Sequence, residues 1–267
     1  MQTGLECIGD LSNYEISEVV LLAAQSLSEI SKDFILDVSH MGLISSVLEN
    51  CSLSKSDKDT VAKCLQNKNA HELASLCETS RLDAQKIRKL KALVSCSGAP
   101  EKVKNALFET LTEENEISAL KELFSVCRLL EEWGYNGKIN IDLSVGNDLK
   151  YYSGVVFKGY IEGIPTSILS GGQYDKLLKK MGRKSKAIGF AVYTDLLSRL
   201  ENAYACPMIE NVILRGENTN IYVLTNCIKT LPEDEKLLVT SSLPEGKRWK
   251  MLYKAENGMV NLIEENS

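Results

Sequence analysis

The sequence predicts an α+β fold in which an antiparallel sheet is flanked by helices and interrupted by a helical insertion. Three observations lead to this prediction. Strand-like runs open the chain, a long stretch rich in Lys, Glu, Ala and Leu follows at 53–133, and strand-like runs return after it. Strands and helices segregated in this way are typical of α+β domains and not of a regularly alternating parallel fold.

The first 52 residues contain two predicted strand–helix pairs. Residues 3–9 are predicted as a strand, and Ser12 with Glu15 has the spacing of a capping box. The apolar residues that then recur at helical period are Ile16, Val19, Ala23, Leu27 and Ile30. A second strand is predicted at 33–39 and a short helix at 42–49.

Residues 53–133 are predicted to form an insertion of four to five helices. They contain few β-branched runs, and the segment Ser97-Gly98-Ala99-Pro100 is typical of a break between helices. The last helix, about 113–133, is the longest, and Gly134 can cap its carboxyl end.

Strands are predicted again after the insertion, with a helix over 173–181. The predicted strands lie at 139–144, 151–161, 165–170 and 187–193. Beyond about residue 205, short strands are predicted at 221–224 and 236–240, with a hairpin about Asn257-Gly258.

These elements divide the chain into three predicted parts. The core comprises residues 1–52 and 134–204, the helical insertion comprises 53–133, and a small α/β or β appendage comprises 205–267. The length of 267 residues is sufficient for one large domain with such additions.

Composition excludes several classes of function. Hydrophobic residues make up 44% and charged residues 25%, which is ordinary for a soluble globular protein. The net charge of −5, with scattered Lys and Arg, argues against a nucleic-acid surface. No apolar run reaches the roughly 20 residues of a membrane span, and no signal peptide opens the chain, so a cytoplasmic protein is predicted. The eight cysteines form no Cys-x-x-Cys pair, which indicates reduced thiols and no metal site.

Three groups of residues could form a ligand site. Gln2 and Glu6 lie four apart on one strand and therefore share a face, where an amide and a carboxylate suit a ligand with an N–H edge. Tyr151 and Tyr152 offer an aromatic wall and a phenol. Each also has a structural interpretation, namely a solvated strand face for the first pair and aromatic packing on both faces of a sheet for the second.

The third group is Ser170-Gly171-Gly172-Gln173-Tyr174-Asp175. Paired glycines between a strand and a helix allow positive φ and a close approach of the backbone to a ligand, although a plain tight turn has the same pattern. His40 either lines such a site or caps the next helix, and the structural role is favoured. No catalytic triad, zinc cluster or phosphate loop is present in the sequence.

Taken together, these segments resemble four linked motifs of histidyl-tRNA synthetases. Residues 2–6 resemble the Gln-x-Gly-x-Glu end of class II motif 2. Residues 151–157 resemble the end of the signature Arg-Gly-Leu-Asp-Tyr-Tyr-Thr-Gly-x-x-Phe-Glu. Residues 171–175 resemble the Gly-Gly-Arg-Tyr-Asp turn, and residues 188–192 resemble the strand of motif 3. The resemblance covers roughly residues 1–200 and implies a class II synthetase-like sheet.

The resemblance also implies a histidine site in which the ligand contacts residues from all three groups. The residues implied as histidine-binding are Gln2, Glu6, Tyr151, Tyr152, Gly171, Gly172 and Tyr174. No catalytic residue, metal ligand or cofactor is implied.

The departures from the synthetase pattern fall at residues that act on ATP. Asn147 stands at the position of the catalytic arginine, and Lys150 at the position of an aspartate. Motif 3 continues Gly-x-Glu-Arg in the synthetases, whereas Tyr193 and Leu196 stand here at the glycine and the arginine. Arginines supply the counter-charge for the developing phosphoryl charge, so their replacement predicts that amino-acid activation is lost.

This pattern resembles the regulatory subunits of ATP phosphoribosyltransferase, the HisZ family of synthetase paralogues. The resemblance implies a non-catalytic, histidine-binding protein that forms a homo-oligomer and partners the short catalytic subunit, HisG, in the first step of histidine biosynthesis. The alternative is a synthetase-like protein or fragment that has lost aminoacylation and acts as a scaffold or amino-acid sensor. Members of this family carry about a hundred residues with motif 1 before Gln-x-Gly-x-Glu, so an N-terminally truncated core is expected.

Overall fold

The structure of the protein is a computed structural model. It describes residues 1–145, 151–197, 209–216, 219–232, 235–244, 248–256 and 259–266. The chain divides into two compact units, residues 1–200 and 201–267.

The first unit is built on a seven-stranded sheet with the order β1-β7-β6-β5-β2-β4-β3. Its strands are β1 (Gln2–Gly9), β2 (Phe34–His40), β3 (Ser97–Gly98), β4 (Ile139–Asp142), β5 (Val155–Ile161), β6 (Leu169–Gln173) and β7 (Lys186–Tyr193). All neighbouring pairs are antiparallel except β2 and β4, which are parallel. The predicted α+β architecture with a mainly antiparallel sheet is therefore confirmed.

Nine helices belong to the described part of this unit. They are α1 (Asn13–Ile30), α2 (Met41–Asn50), α3 (Lys55–Gln66), α4 (Ala70–Thr79), α5 (Ala84–Ser95), α6 (Pro100–Thr110), α7 (Glu114–Glu132), α8 (Asp175–Lys180) and α9 (Thr194–Leu197). The predicted capping box of α1 is present, because Ser12 and Glu15 exchange their side-chain and backbone hydrogen bonds. Helices α1 and α7 contact each other and pack against the sheet, where they bury its apolar face.

The stretch 53–133 contains five helices, α3 to α7, and the two-residue strand β3. A buried ion pair joins its helices α5 and α7, and a hydrogen bond from the preceding helix α2 reaches the same carboxylate. The Lys89 ammonium donates to Glu116 at 2.8 Å, and the Asn50 amide at the end of α2 donates to the same carboxylate at 2.9 Å. Lys89 is 3% exposed and Glu116 is fully buried, so the carboxylate depends on these donors for its stabilisation.

The second unit contains a four-stranded sheet of order β11-β10-β8-β9 and one described helix. Its elements are β8 (Ile209–Arg215), α10 (Ile221–Ile228), β9 (Leu237–Thr240), β10 (Trp249–Glu256) and β11 (Met259–Glu265). Strand β10 pairs parallel with β8 and antiparallel with β11, and β8 pairs parallel with β9.

Two sequence-based assignments in this unit differ from the structure. The strand predicted at 221–224 is wrong, because Asn220 caps a helix there by accepting a hydrogen bond from the Tyr222 backbone at 2.9 Å. Strand β8 was not predicted. The predicted turn at Asn257-Gly258 lies outside the described residues.

Two further features of the described ranges concern thiols and membranes. Each of the seven cysteines within them is a free thiol, and burial raises the pKa of Cys127 to about 12. None of the helices there combines the length and the apolarity needed to span a membrane.

Candidate functional site

One face of the seven-stranded sheet is covered by the hydrophobic core, and the other is the open face. The candidate site lies on the open face. In β1, Leu5 and Cys7 pack against that core, and strand alternation therefore turns Gln2 and Glu6 to the other face. Glu6 lies directly opposite Gly189 of β7. The shared face predicted for Gln2 and Glu6 is thus present.

Pairing registers extend this face into a row across five strands. The row runs Glu6, Gly189, Gly172, Val156, Ser39, from β1 through β7, β6 and β5 to β2. Gly189 and Gly172 in this row have no side chains. Together they are called the glycine floor of the site.

The glycines are required by what lies above them. A Cβ at Gly189 would come within 2.0 Å of the Glu6 Oε2 atom, and a Cβ at Gly172 within 2.9 Å of the Tyr152 ring. The missing side chains therefore leave room for the Glu6 carboxylate and the Tyr152 ring to lie over the sheet.

Three tyrosines form one wall of the site. The Tyr174 hydroxyl donates a hydrogen bond to the Glu6 carboxylate. The Tyr151 ring stacks on Tyr174 with centroids 5.7 Å apart and contacts Tyr152 edge-on at 4.7 Å. An aromatic wall with a carboxylate at its base suits a flat ligand ring that carries N–H donors.

The electrostatics of this wall keep its phenols protonated. Burial, and then the hydrogen bond to Glu6, raise the pKa of Tyr174 far above its usual value. Burial and the Glu6 charge also raise the pKa of Tyr151. Both hydroxyls are therefore neutral hydrogen-bond donors at physiological pH.

The turn that follows β6 holds Tyr174 in place. Asp175 accepts hydrogen bonds from the Ala187 backbone at 3.0 Å and from the Gln173 amide at 2.8 Å. The Tyr174 backbone N–H donates to the Ala187 carbonyl at 2.8 Å, and the Asp175 N–H donates to the Ser153 hydroxyl at 3.1 Å. The phenol is thus aimed at Glu6 by a braced backbone.

The structure brings together Glu6, Tyr151, Tyr152, Gly172 and Tyr174. The other two residues predicted to bind histidine lie elsewhere. Gln2 is on the same face but at the end of β1, opposite Tyr193. Gly171 faces the core, where a Cβ would lie within 2.6 Å of Phe190 and Phe157.

Two local predictions about these residues are wrong. The paired glycines lie inside strand β6 and neither has a positive φ, so they do not form a tight turn. Strand β5 begins at Val155 and not at Tyr151. The tyrosines therefore precede the strand and their rings contact each other, whereas strand alternation would have put them on opposite faces.

His40 has the structural role that was favoured. Its Nδ1 atom accepts a hydrogen bond from the Leu43 backbone at 3.0 Å and so caps α2. The side chain is buried, with Nε2 3.5 Å from a carboxylate oxygen of Glu122.

Sequence reasoning missed two charged residues on the same face. A second row lies two residues along each strand from the first and runs Gly4, Ala191, Ser170, Lys158, Asp37, Asn140. Burial and the neighbouring charge of Asp142 raise the pKa of Asp37 to about 6. One signal was available, because Lys158 follows Phe157 where the synthetase signature has Glu after Phe.

Two of the residues that replace the ATP-binding pattern, Tyr193 and Leu196, lie in the described part of the chain. The Tyr193 and Ser170 hydroxyls are hydrogen-bonded at 2.6 Å, so the phenol spans from β7 to β6 over the sheet. Leu196 is partly buried against the hydrophobic core. Asn147 and Lys150 lie outside the described residues.

Comparisons with known proteins agree with this architecture. A family model described as Histidyl-tRNA synthetase matches residues 1–197. An ATP phosphoribosyltransferase regulatory subunit of Alkaliphilus metalliredigens is 30% identical over 199 residues, which are 74% of this chain and 50% of the relative. The chain spans about half the length of the curated relatives it matches.

Solved structures are similar over most of the chain. A protein of Bacillus halodurans described as an ATP phosphoribosyltransferase regulatory subunit/histidyl-tRNA synthetase has a TM-score of 0.65 at 25% identity, covering 90% of this chain and 62% of that one. The Thermotoga maritima HisG:HisZ complex has a TM-score of 0.59 at 22% identity, with 72% and 65% covered, and shows the fold alone.

The sheet topology and these structural matches define a class II aminoacyl-tRNA synthetase-like protein. Because the family model covers 197 of 267 residues, the chain belongs to the histidyl-tRNA synthetase family.

Proposed function

We propose that this chain is a non-catalytic, histidine-binding regulatory subunit of ATP phosphoribosyltransferase. In this proposal it pairs with the short catalytic subunit, HisG, in the first step of histidine biosynthesis, and it is cytoplasmic. The observation that carries the proposal is the Glu6–Tyr174–Tyr151 cluster above a glycine floor, combined with a leucine at position 196.

The cluster supports histidine as the ligand. An imidazole ring is flat and presents N–H groups at its edge, so it can lie against the tyrosine wall while an N–H donates to Glu6. Tyr174 already donates to that carboxylate, and a second lone pair of the carboxylate is available to a ligand. The missing Cβ atoms of Gly172 and Gly189 let the Tyr152 ring and the Glu6 carboxylate lie close to the sheet, and these two groups form the base of the site.

The described residues at the ATP-binding positions argue against a reaction on that ligand. Leu196 packs on the core and offers no charge to a phosphoryl group. Tyr193 bridges to Ser170 where the synthetase pattern has a glycine. Among the described residues of the sheet strands, the open face carries no arginine.

The proposed mechanism is allosteric. If histidine binds one of two states of the complex with HisG more tightly, it shifts the equilibrium and changes the activity of the catalytic subunit. The change can be no larger than the difference in histidine affinity between the two states.

Three measurements test the proposal on the 267-residue chain. Calorimetry should detect binding of L-histidine and no binding of L-leucine. Co-purification should recover a complex with the short catalytic subunit, and histidine should change the phosphoribosyltransferase activity of that complex. Absence of both histidine binding and complex formation contradicts the proposal.

The alternative functions predict different results from the same samples. A scaffold with a vestigial pocket gives a stable oligomer whose melting temperature does not respond to histidine. A residual synthetase activity gives histidine-dependent pyrophosphate exchange above background. The proposed regulatory subunit gives a histidine-dependent thermal shift without pyrophosphate exchange.

A further inference from the structure

We propose that Lys158 binds the α-carboxylate of the ligand. This inference rests on the proposed histidine site and names the group that replaces the missing arginines. A lysine ammonium at this point makes the site specific for a free amino acid with an imidazole ring over the corresponding amine or alcohol.

The position of Lys158 relative to the glycine floor carries the inference. Lys158 lies two residues after Val156 in β5, and Val156 is directly opposite Gly172. Residues i and i+2 of a strand point to the same face about 7 Å apart, and neighbouring strands are about 4.8 Å apart. The Tyr152 ring itself lies over Gly172, so a ligand ring would lie beside it, against the tyrosine wall. A lysine side chain can span the separation between Lys158 and that position, so its ammonium can reach the carboxylate of such a ligand.

Lys158 is also electrostatically available. Asp37 is directly opposite Lys158 in β2, where cross-strand Cβ atoms are about 5 Å apart. Asp37 and Lys158 attract each other, but no salt bridge within 4.0 Å is present for Lys158 in the described part of the chain. The other lysine near this face, Lys68, is bound to Asp142 at 2.7 Å.

The hydrogen bond between Tyr193 and Ser170 limits the length of a ligand on the β7 side of the site. Ser170 lies between Ala191 and Lys158 in the second row, and its hydroxyl is bound to Tyr193 at 2.6 Å. The bridging phenol closes the sheet face on the β7 side of Ser170. A ligand that extends from the glycine floor therefore meets neutral hydroxyls on one side and the Lys158 ammonium on the other.

The test compares L-histidine with L-histidinol, in which a hydroxymethyl group replaces the carboxylate. Calorimetry on the 267-residue chain should show that the wild type binds L-histidine about ten- to a hundredfold more tightly than L-histidinol, the range expected for a hydrogen bond to a charged group. Lys158→Met should weaken L-histidine by a similar factor and leave L-histidinol unchanged.

Two further variants separate charge from folding. Lys158→Arg keeps a cation and should retain most of the preference for histidine. Lys180→Met removes an exposed lysine of α8, outside this face, and should change neither affinity. Thermal melts of all variants identify any loss of folding.

The outcomes distinguish this inference from the proposed function. If Lys158→Met weakens both ligands equally, or neither, the assignment of Lys158 is rejected while histidine binding by the wild type stands. If the folded wild type binds neither ligand, the histidine site and the role of Lys158 are both rejected.

Discussion

The two faces of the seven-stranded sheet are built from alternate residues of the same strands, yet they have different constraints. Helices α1 and α7 pack on the covered face, and the residues of that face are apolar or small. The open face carries Glu6, Lys158 and Asp37 above two glycines. The adjacent glycines of β6 divide between the faces, since Gly171 accommodates core side chains and Gly172 accommodates the Tyr152 ring. Two adjacent glycines therefore have separate roles, Gly171 in the packing of the core and Gly172 in the shape of the ligand site.

The largest expected effect comes from Gly171→Ala. A Cβ there would lie 2.5 Å from the Gly189 carbonyl oxygen and 2.6 Å from the Phe157 ring, so the backbone of β7 would have to move. We expect a loss of about 3 kcal/mol in the free energy of unfolding, measured by urea denaturation.

Gly172→Ala is the matched control on the open face. The three atoms nearest to its Cβ would be a Val156 methyl carbon and two carbons of the Tyr152 ring, and none of them is a backbone atom. We expect a loss of about 1 kcal/mol in stability, together with weaker histidine binding. Equal stability losses for the two variants would contradict the division of the glycine pair between the faces.

Much of the fold could be predicted from the sequence because the relevant signals are local. The capping box of α1 and the helical period of its apolar residues are properties of short segments. The division of Gly171 and Gly172 between faces could not be predicted, because it depends on the pairing of β6 with β5 and β7. The position of β5 was misjudged because Tyr151 favours strands by propensity.

The candidate site was predictable to a similar extent. The resemblance drew attention to Glu6 and Tyr174, and these lie in contact although 168 positions separate them in the chain. Asp37 and Lys158 were missed because their proximity arises from register across β2 and β5. A charge on a strand gives no indication of its cross-strand neighbours until that register is known.

The next expected effect is a loss of histidine affinity when Glu6 on the open face is changed. Glu6→Gln keeps the shape of the side chain and an acceptor for Tyr174, but it removes the negative charge offered to the ligand. We expect histidine binding to weaken by about 1.5–3 kcal/mol, measured by calorimetry, with little change in stability.

Glu18→Gln is a matched control for this substitution. Glu18 also accepts a hydrogen bond from a tyrosine, Tyr14, at 3.3 Å, but this pair is exposed on α1. It should leave histidine affinity unchanged. An unaltered dissociation constant in Glu6→Gln would show that the carboxylate does not contact the ligand.

The smallest expected effect is a pH-dependent one at Asp37. Burial and Asp142 raise the pKa of its carboxyl to about 6, above the value of about 3.9 for an unfolded chain. The folded protein therefore binds this proton more readily than the unfolded chain. The ionised carboxylate lowers stability above pH 6, and this penalty disappears as the pH falls from about 6 to about 4.

Asp37→Asn should accordingly stabilise the ligand-free protein at pH 8 by about 1 kcal/mol. The gain is smaller than the pKa shift alone implies, because the site is partly solvated and the variant also loses the attraction to Lys158. The difference from wild type should shrink to near zero at pH 4 in urea denaturation curves. Asp59→Asn, at an exposed position of α3, should show no comparable pH-dependent gain. A gain in Asp37→Asn that is the same at both pH values would indicate altered packing, and the open face would then not impose an electrostatic cost. A gain confined to high pH would show that the fold retains a destabilising charge on this face, directly opposite Lys158.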